Sequence, residues 1–317
     1  MSFGSGFLRH PDLFPGRRSG EAWGERALAL QIPGGPYLLS GLAAAQEEAL
    51  RQRFGPLCGP AAREEEGIAV AVFRAPAADF LEIDTRGWEY ALDLDPAPHS
   101  LRVAGLRLMA RLDWSPKLAA GLWTPEAAGE EWTGICENLL RLLAAYRLLA
   151  AGGVLLHSAG LSDGESAWLL LGPSGAGKTT ASRLCLAAGA DVLSDDLNAV
   201  LPPPVDGDRP VRPVRPVVMR LPFTGDLGER QGGPGNPGGY PLRAVLRLRQ
   251  GPAESLAPLS PASALAALLA AAPYVNRDPW RREPLLAALE RLARTVPAWE
   301  LTFSPGADLW SILQSTI

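Results

Sequence analysis

Short apolar runs punctuated by turn residues occupy the first part of the chain. Residues 27–32 and 37–39 read as two strands around Pro33-Gly34-Gly35-Pro36. Leu42, Ala45, Ala49 and Leu50 then recur on one side of a helix that runs to Phe54. Further runs at 68–73, 80–83, 88–94 and 101–112, the last broken at Ala104-Gly105, predict a strand-rich antiparallel sheet or small barrel. The period changes after that. Ile135, Leu139, Leu142, Leu143, Tyr146 and Leu149 fall at three- and four-residue steps and predict a helix over 133–151, closed by Gly152-Gly153. The change of period predicts a strand-rich N-terminal module over 1–130 and an α/β domain over 131–317.

In the second part, apolar runs at 154–161 and 166–171 flank Ser162-Asp163-Gly164-Glu165, where Asp-Gly favours a tight hairpin turn. The second run leads into Gly172, Pro173, Ser174, Gly175, Ala176, Gly177, Lys178, Thr179 and Thr180, a full match to G-x-x-x-x-G-K-[ST]. Ala181, Leu184, Cys185 and Ala188 continue as a helical stripe that Gly189 stops. Strand, glycine-rich loop and helix is the context in which this motif binds a nucleoside triphosphate: backbone N–H groups and the helix N-terminus surround the phosphates. Lys178 would reach the β/γ-phosphates, and the Thr179 hydroxyl would sit on Mg²⁺.

Beyond the loop helix, residues 190–194 read as a strand ending in Asp195-Asp196. Two carboxylates beside a phosphate loop offer one oxygen set for Mg²⁺ and a base for an incoming hydroxyl. A proline-rich connection (202–216), a strand (217–220), a Gly/Pro/Asn-rich loop beside the site (231–241) and a strand (244–248) are expected next. Two helices from Pro261 and Arg282, a strand at 299–303 and a closing helix at 307–313 complete the pattern. His157 lies within the strand next to the loop's own strand. A core role and a role near the phosphates are both open to it.

Composition narrows the partners. The formal net charge is −4 with no basic cluster, which gives no case for nucleic acid. No apolar run approaches a membrane span, and the first residues lack a signal peptide's charged and apolar regions, so a cytoplasmic protein is expected. Cys58, Cys136 and Cys185 fit neither a disulfide framework nor a zinc pattern and read as buried, inert thiols. Only Lys117 and Lys178 are lysines among 30 Lys and Arg residues; the loop position keeps the compact ammonium that Arg does not replace.

Leu156-His157-Ser158-Ala159-Gly160, the loop from Gly172 to Thr179 and Leu193-Ser194-Asp195-Asp196 together resemble HPr kinase/phosphorylase. They are closer still to the HPr-kinase-like proteins often encoded beside bacterial peptide-modification enzymes. The likeness is dense over 133–200 and extends loosely through 220–226, 241–245 and 299–303. It implies a P-loop kinase fold of the HPr kinase/phosphoenolpyruvate carboxykinase-like type with a smaller N-terminal module. It also implies ATP and Mg²⁺, and transfer of the γ-phosphoryl group to a serine or other hydroxyl of a peptide or protein. On that resemblance His157 and Lys178 match active-site positions, Asp196 the proton acceptor and Thr179 a Mg²⁺-binding position. Asp195 joins Thr179 as a metal ligand.

The family's E-x-R-G-x-G signature with its metal-binding glutamate is absent: the region reads Val218-Met219-Arg220-Leu221-Pro222-Phe223, and Asp226 is the nearest substitute. That absence leaves open whether HPr is the acceptor and whether a phosphorylase activity is retained. An ATP-binding accessory protein for peptide modification, without transfer, is the alternative. The family assembles as a hexamer, which leaves a homo-oligomer an open expectation.

Overall fold

The computed structural model describes residues 20–59, 67–77, 80, 92–105, 107–114, 117–126, 131–203, 205–206, 209–210, 215–223, 225, 227, 238–304 and 306–316. It is a mixed α/β protein with two multi-stranded sheets and, among the described residues, six α-helices. The chain divides into two compact units, Met1–Leu143 and Ala144–Ile317. The division falls inside helix α2, ten residues or so beyond the change of hydrophobic period.

The first unit carries β1 (Glu21–Ala22), β2 (Arg26–Leu30), β3 (Tyr37–Leu42), α1 (Ala44–Phe54), β4 (Cys58–Gly59) and β5 (Ile68–Ala75). It continues with β6 (Asp93–Pro96), β7 (Ser100–Gly105), β8 (Leu108–Asp113), β9 (Ala119–Pro125) and the start of α2 (Trp132–Ala150). Its sheet runs β4-β2-β3-β5-β9-β8-β7-β6, with β1 on β5. This corrects the expectation of an antiparallel sheet or barrel. The centre is parallel, because β3 pairs β5 and β5 pairs β9 in the same direction. The connection from β3 to β5 passes through α1, the long crossover that parallel neighbours require. The expected strand at 80–83 lies, after Phe80, outside the described residues, as does most of that at 88–94.

The second unit is built on the hairpin of β10 (Val154–Ser162) and β11 (Ala167–Leu171). Asp163 Oδ1 accepts from the N–H groups of Glu165 and Ser166, and Gly164 at φ 93° completes the turn. The unit continues with α3 (Lys178–Ala187), β12 (Asp191–Ser194), β13 (Leu197–Leu201), and a backbone pair of β14 (Val205–Asp206) with β15 (Arg209–Pro210). Then come β16 (Val217–Met219), β17 (Tyr240–Gln250), β18 (Ser255–Pro258), α4 (Pro261–Ala271), α5 (Arg282–Thr295), β19 (Ala298–Phe303) and α6 (Leu309–Thr316). Residues 231–237 of the expected loop lie outside the described set. The expected loop ends early, since Tyr240 and Pro241 already belong to β17.

β10 is shared between two neighbourhoods. Val154–His157 pair with β13, whereas Ser158–Ser162 pair with β11 on one edge and meet β12 on the other. β11 then pairs β17 in parallel, and β17 pairs β19. Buried Ala159, Leu161, Trp168, Leu170, Ala244 and Leu246 form a core with Ala181 and Cys185 of α3 and with Trp310 of α6. Trp168 and Trp310 meet edge to face at 5.3 Å. This core fixes α3 against the hairpin, and with it the loop that joins them. Among the described residues, no helix is long and apolar enough to cross a membrane.

Candidate functional site

The loop after β11 is shaped by what its glycines cannot carry. A methyl on Gly172 would lie 2.6 Å from Ala176 Cβ. Gly175 and Gly177 sit at φ 77° and 97°, which L side chains rarely adopt, and a methyl on Gly177 would lie 2.8 Å from Phe303 Cζ. Gly177 is the N-cap of α3, so the first N–H groups of that helix, which have no partner within it, open onto the loop. Gln250, the last residue of β17, donates through Nε2 to Gly175 O at 3.0 Å and ties the loop to the sheet.

Lys178 is buried at 8% exposure, and its Nζ donates to Gly172 O at 2.7 Å and Pro173 O at 3.3 Å. Burial lowers its pKa from the ordinary lysine value, and the charge of Asp196 opposes that shift. Asp195 and Asp196 occupy the two-residue turn between β12 and β13, a tighter setting than the strand end foreseen from sequence. Ser194 Oγ accepts from the N–H groups of Asp196 and Leu197 and shapes that turn.

The turn is stitched to β10 at the point where β10 changes partners. Ser158 N–H donates to Asp196 O at 3.0 Å, and Asn198 Nδ2 donates to Ser158 O at 2.8 Å and Ser158 Oγ at 3.0 Å. The side chains of the two aspartates diverge from there. Asp195 is buried, at 6% exposure, and its Oδ2 accepts from Leu227 N–H at 3.2 Å. Asp196 Oδ1 lies 3.1 Å from His157 Nδ1. With the carboxylate ionised, Nδ1 carries the proton and donates, leaving Nε2 as the imidazole's acceptor. The register explains the placement: the pairing with β11 ends at Ser158–Leu171, where the loop begins, and His157, the next residue, pairs Leu197 just past the aspartate turn.

His157, Lys178, Thr179, Asp195 and Asp196 share one cleft of about 610 Å³ with Ser174, Gly175, Gly177 and Thr180. That volume lies within the roughly 300–1,000 Å³ of small-molecule sites. Gly172, Pro173 and Ala176 complete the loop behind it. Asp226, the second carboxylate expected at the metal, lies outside the described residues. Gln250 and Gly225 also line the cleft, and Asn198 braces it from below. None of these three carries a motif. Gln250 and Gly225 reach the site from distant stretches of sequence, Asn198 acts on Ser158 forty residues before it, and Gly225 reads in sequence as one more loop glycine.

The donor set suits a hard divalent cation held jointly with phosphates. Thr179 and the two aspartates offer oxygens, yet among the described residues no group of three or more His, Cys, Asp or Glu gathers into an all-protein metal cage. Mg²⁺ typically binds through one or two carboxylates plus substrate phosphates, so the residues present fit it. The loop's left-handed glycines and the start of α3 fit the phosphates themselves. Compared with protein-family models and with curated proteins, the chain matches none. Among the described residues, Cys136 and Cys185 are buried and free; burial pushes the Cys185 thiol up to about 12, outside any reactive range near neutral pH. Cys58 is only half-buried, against the expectation for all three.

Proposed function

We propose that the chain is an ATP-dependent kinase of the HPr-kinase-like P-loop type, transferring the γ-phosphoryl group to a serine or other hydroxyl of a peptide or protein. The observation that carries this reading is the convergence of Lys178, Thr179, Asp195 and the His157–Asp196 pair on a single cleft. A phosphate-binding loop alone would serve binding or hydrolysis equally. A carboxylate paired to a histidine beside it adds a group able to take a hydroxyl proton.

The loop backbone and Lys178 would hold the phosphates, and Thr179 with Asp195 would hold Mg²⁺. Bound Mg²⁺ and ATP would supply the phosphoryl group and neutralise the charge that its transfer develops. Asp196 accepts the proton of the acceptor hydroxyl through the oxygen that His157 does not engage. His157, donating from Nδ1 to Oδ1, holds that carboxylate at the cleft. Asp195, buried and held by Leu227 N–H, is the less mobile of the two acids and suits the metal rather than the proton.

Incubation with γ-labelled ATP, Mg²⁺ and a library of serine-containing peptides tests the proposal. Label should appear as a phosphate ester on a peptide hydroxyl. Asp196→Asn should slow transfer by roughly 10²–10⁴-fold while nucleotide affinity stays near wild type. Tight nucleotide binding with no labelled acceptor, and an Asp196→Asn chain that works as well as wild type, would instead identify an ATP-binding accessory protein.

A further inference from the structure

The metal-binding glutamate expected downstream of the aspartate pair is missing from this chain, yet something holds Asp195 in place. The descending segment after β16 passes directly over its carboxylate. Leu227 N–H donates to Oδ2 at 3.2 Å. Two residues earlier, Gly225 lies so close that a methyl on it would sit 2.7 Å from Asp195 Cγ, 3.1 Å from Oδ2 and nearer still to Oδ1. The neighbour that would have to yield is a buried carboxylate on a two-residue turn, fastened at Ser194 and Ser158, with little freedom to move aside. No positive φ accompanies Gly225, so the requirement for glycine is one of contact and not of backbone strain.

We infer that Gly225 and the Leu227 amide form a backbone clamp that positions Asp195 for a divalent cation, with Gly225 the positioning residue because only hydrogen fits between it and the carboxylate. Arg220 anchors the start of the segment after β16: the guanidinium donates to both Asp191 oxygens, at 3.0 and 3.1 Å, and to Val192 O at 3.3 Å. Arg220 thereby ties the start of the segment to the first residues of β12. The inference rests on the reading above only for the identity of the ion.

Binding of Mn²⁺, a spectroscopic stand-in for Mg²⁺, together with ATP tests the clamp without any need for turnover. Gly225→Ala should weaken Mn²⁺ affinity in the presence of ATP by about 10- to 100-fold, the usual effect of disturbing groups that orient a metal ligand. Metal-free ATP binding should be unchanged. A double-mutant cycle with Asp195→Ala separates positioning from packing. On the Asp195→Ala background the methyl meets no carboxylate, so adding Gly225→Ala should leave the thermal midpoint where Asp195→Ala alone puts it. If Gly225→Ala does not fold but the double variant does, the clamp is supported by the same logic. Wild-type Mn²⁺ affinity in Gly225→Ala, or an equal loss of stability or folding on both backgrounds, would overturn it. If the cycle behaves as expected and no acceptor is ever labelled, the clamp stands and the kinase reading falls.

Discussion

Lys178 is bonded to two carbonyls of its own loop, and its pKa is held down by burial against the pull of Asp196. Both facts bear on how a polyphosphate would be taken up. The phosphates must draw the ammonium away from Gly172 O and Pro173 O, and their charge raises its pKa on binding. The sign follows: below the depressed value the ammonium is present before and after, so binding moves no proton. Between the depressed and the raised values, binding takes a proton up. ATP affinity should therefore fall as pH rises through the depressed value, below the 10.5 of an ordinary lysine. Calorimetric titrations in buffers of different ionisation enthalpy should report proton uptake by the lysine between its depressed and raised values. At this scale much of the site is legible in sequence. Lys178, Thr179 and the aspartate pair sit in motifs whose chemistry depends on their order along the chain. Gly225, Gln250 and Asn198 act through contacts with residues 27 or more positions away, and such contacts leave no local pattern.

The elements that hold these residues were legible where amphipathic period and turn chemistry agreed. The β10–β11 hairpin, α3, α4 and α5 all lie where apolar spacing and the flanking Gly, Pro or Ser residues point. β9 offers no alternation to read, because all seven of its positions are buried between a parallel and an antiparallel neighbour. β13 follows β12 after only two residues, so the turn between them reads in sequence as the end of a strand. β18 is a four-residue edge strand, mostly exposed, with almost no apolar signal. Two side chains test what the elements contribute. Gln250→Ala removes the tie between the end of β17 and Gly175 O, a neutral hydrogen bond of about 1 kcal/mol. The expected outcome is a several-fold higher KM for ATP with kcat little changed, and Gln250→Glu should be worse because it cannot donate and repels phosphate. Tyr146→Phe deprives buried Asp278 of a 3.0 Å hydrogen bond, while Asp278 also caps the turn at Trp280 N–H. Urea unfolding should show a loss of about 1–3 kcal/mol.

On the scale of the molecule, each unit has its own sheet and its own buried core, and the cleft belongs wholly to 144–317. The parallel centre of the first sheet is not legible in sequence, because strand direction is set by crossovers that periodicity does not record. Ligand binding should appear as stabilisation by mass action. At about 100-fold excess of ATP and Mg²⁺ over Kd the binding unit should gain roughly 2.7 kcal/mol, seen as a concentration-dependent rise in its melting transition. Removing the metal with a chelator should reduce that rise, and Lys178→Ala should abolish it.

The pairing of Ser158 with Leu171 works as a ruler. Its two ends carry different chemistry: the strand β11 delivers the phosphate loop, and β10 delivers His157 to Asp196. A slip of one residue in the turn at 163–166 would send every side chain of one strand to the opposite face of the hairpin, and with nearly all positions of both strands buried the core would reject it. A slip of two would keep every apolar residue inside, and yet carry His157 about 7 Å along the strand and out of reach of Asp196. Contact at Gly160, where a methyl would press on Asn198, and the turn residues together exclude that second error. The length of a four-residue surface loop thus helps to set whether the histidine reaches Asp196.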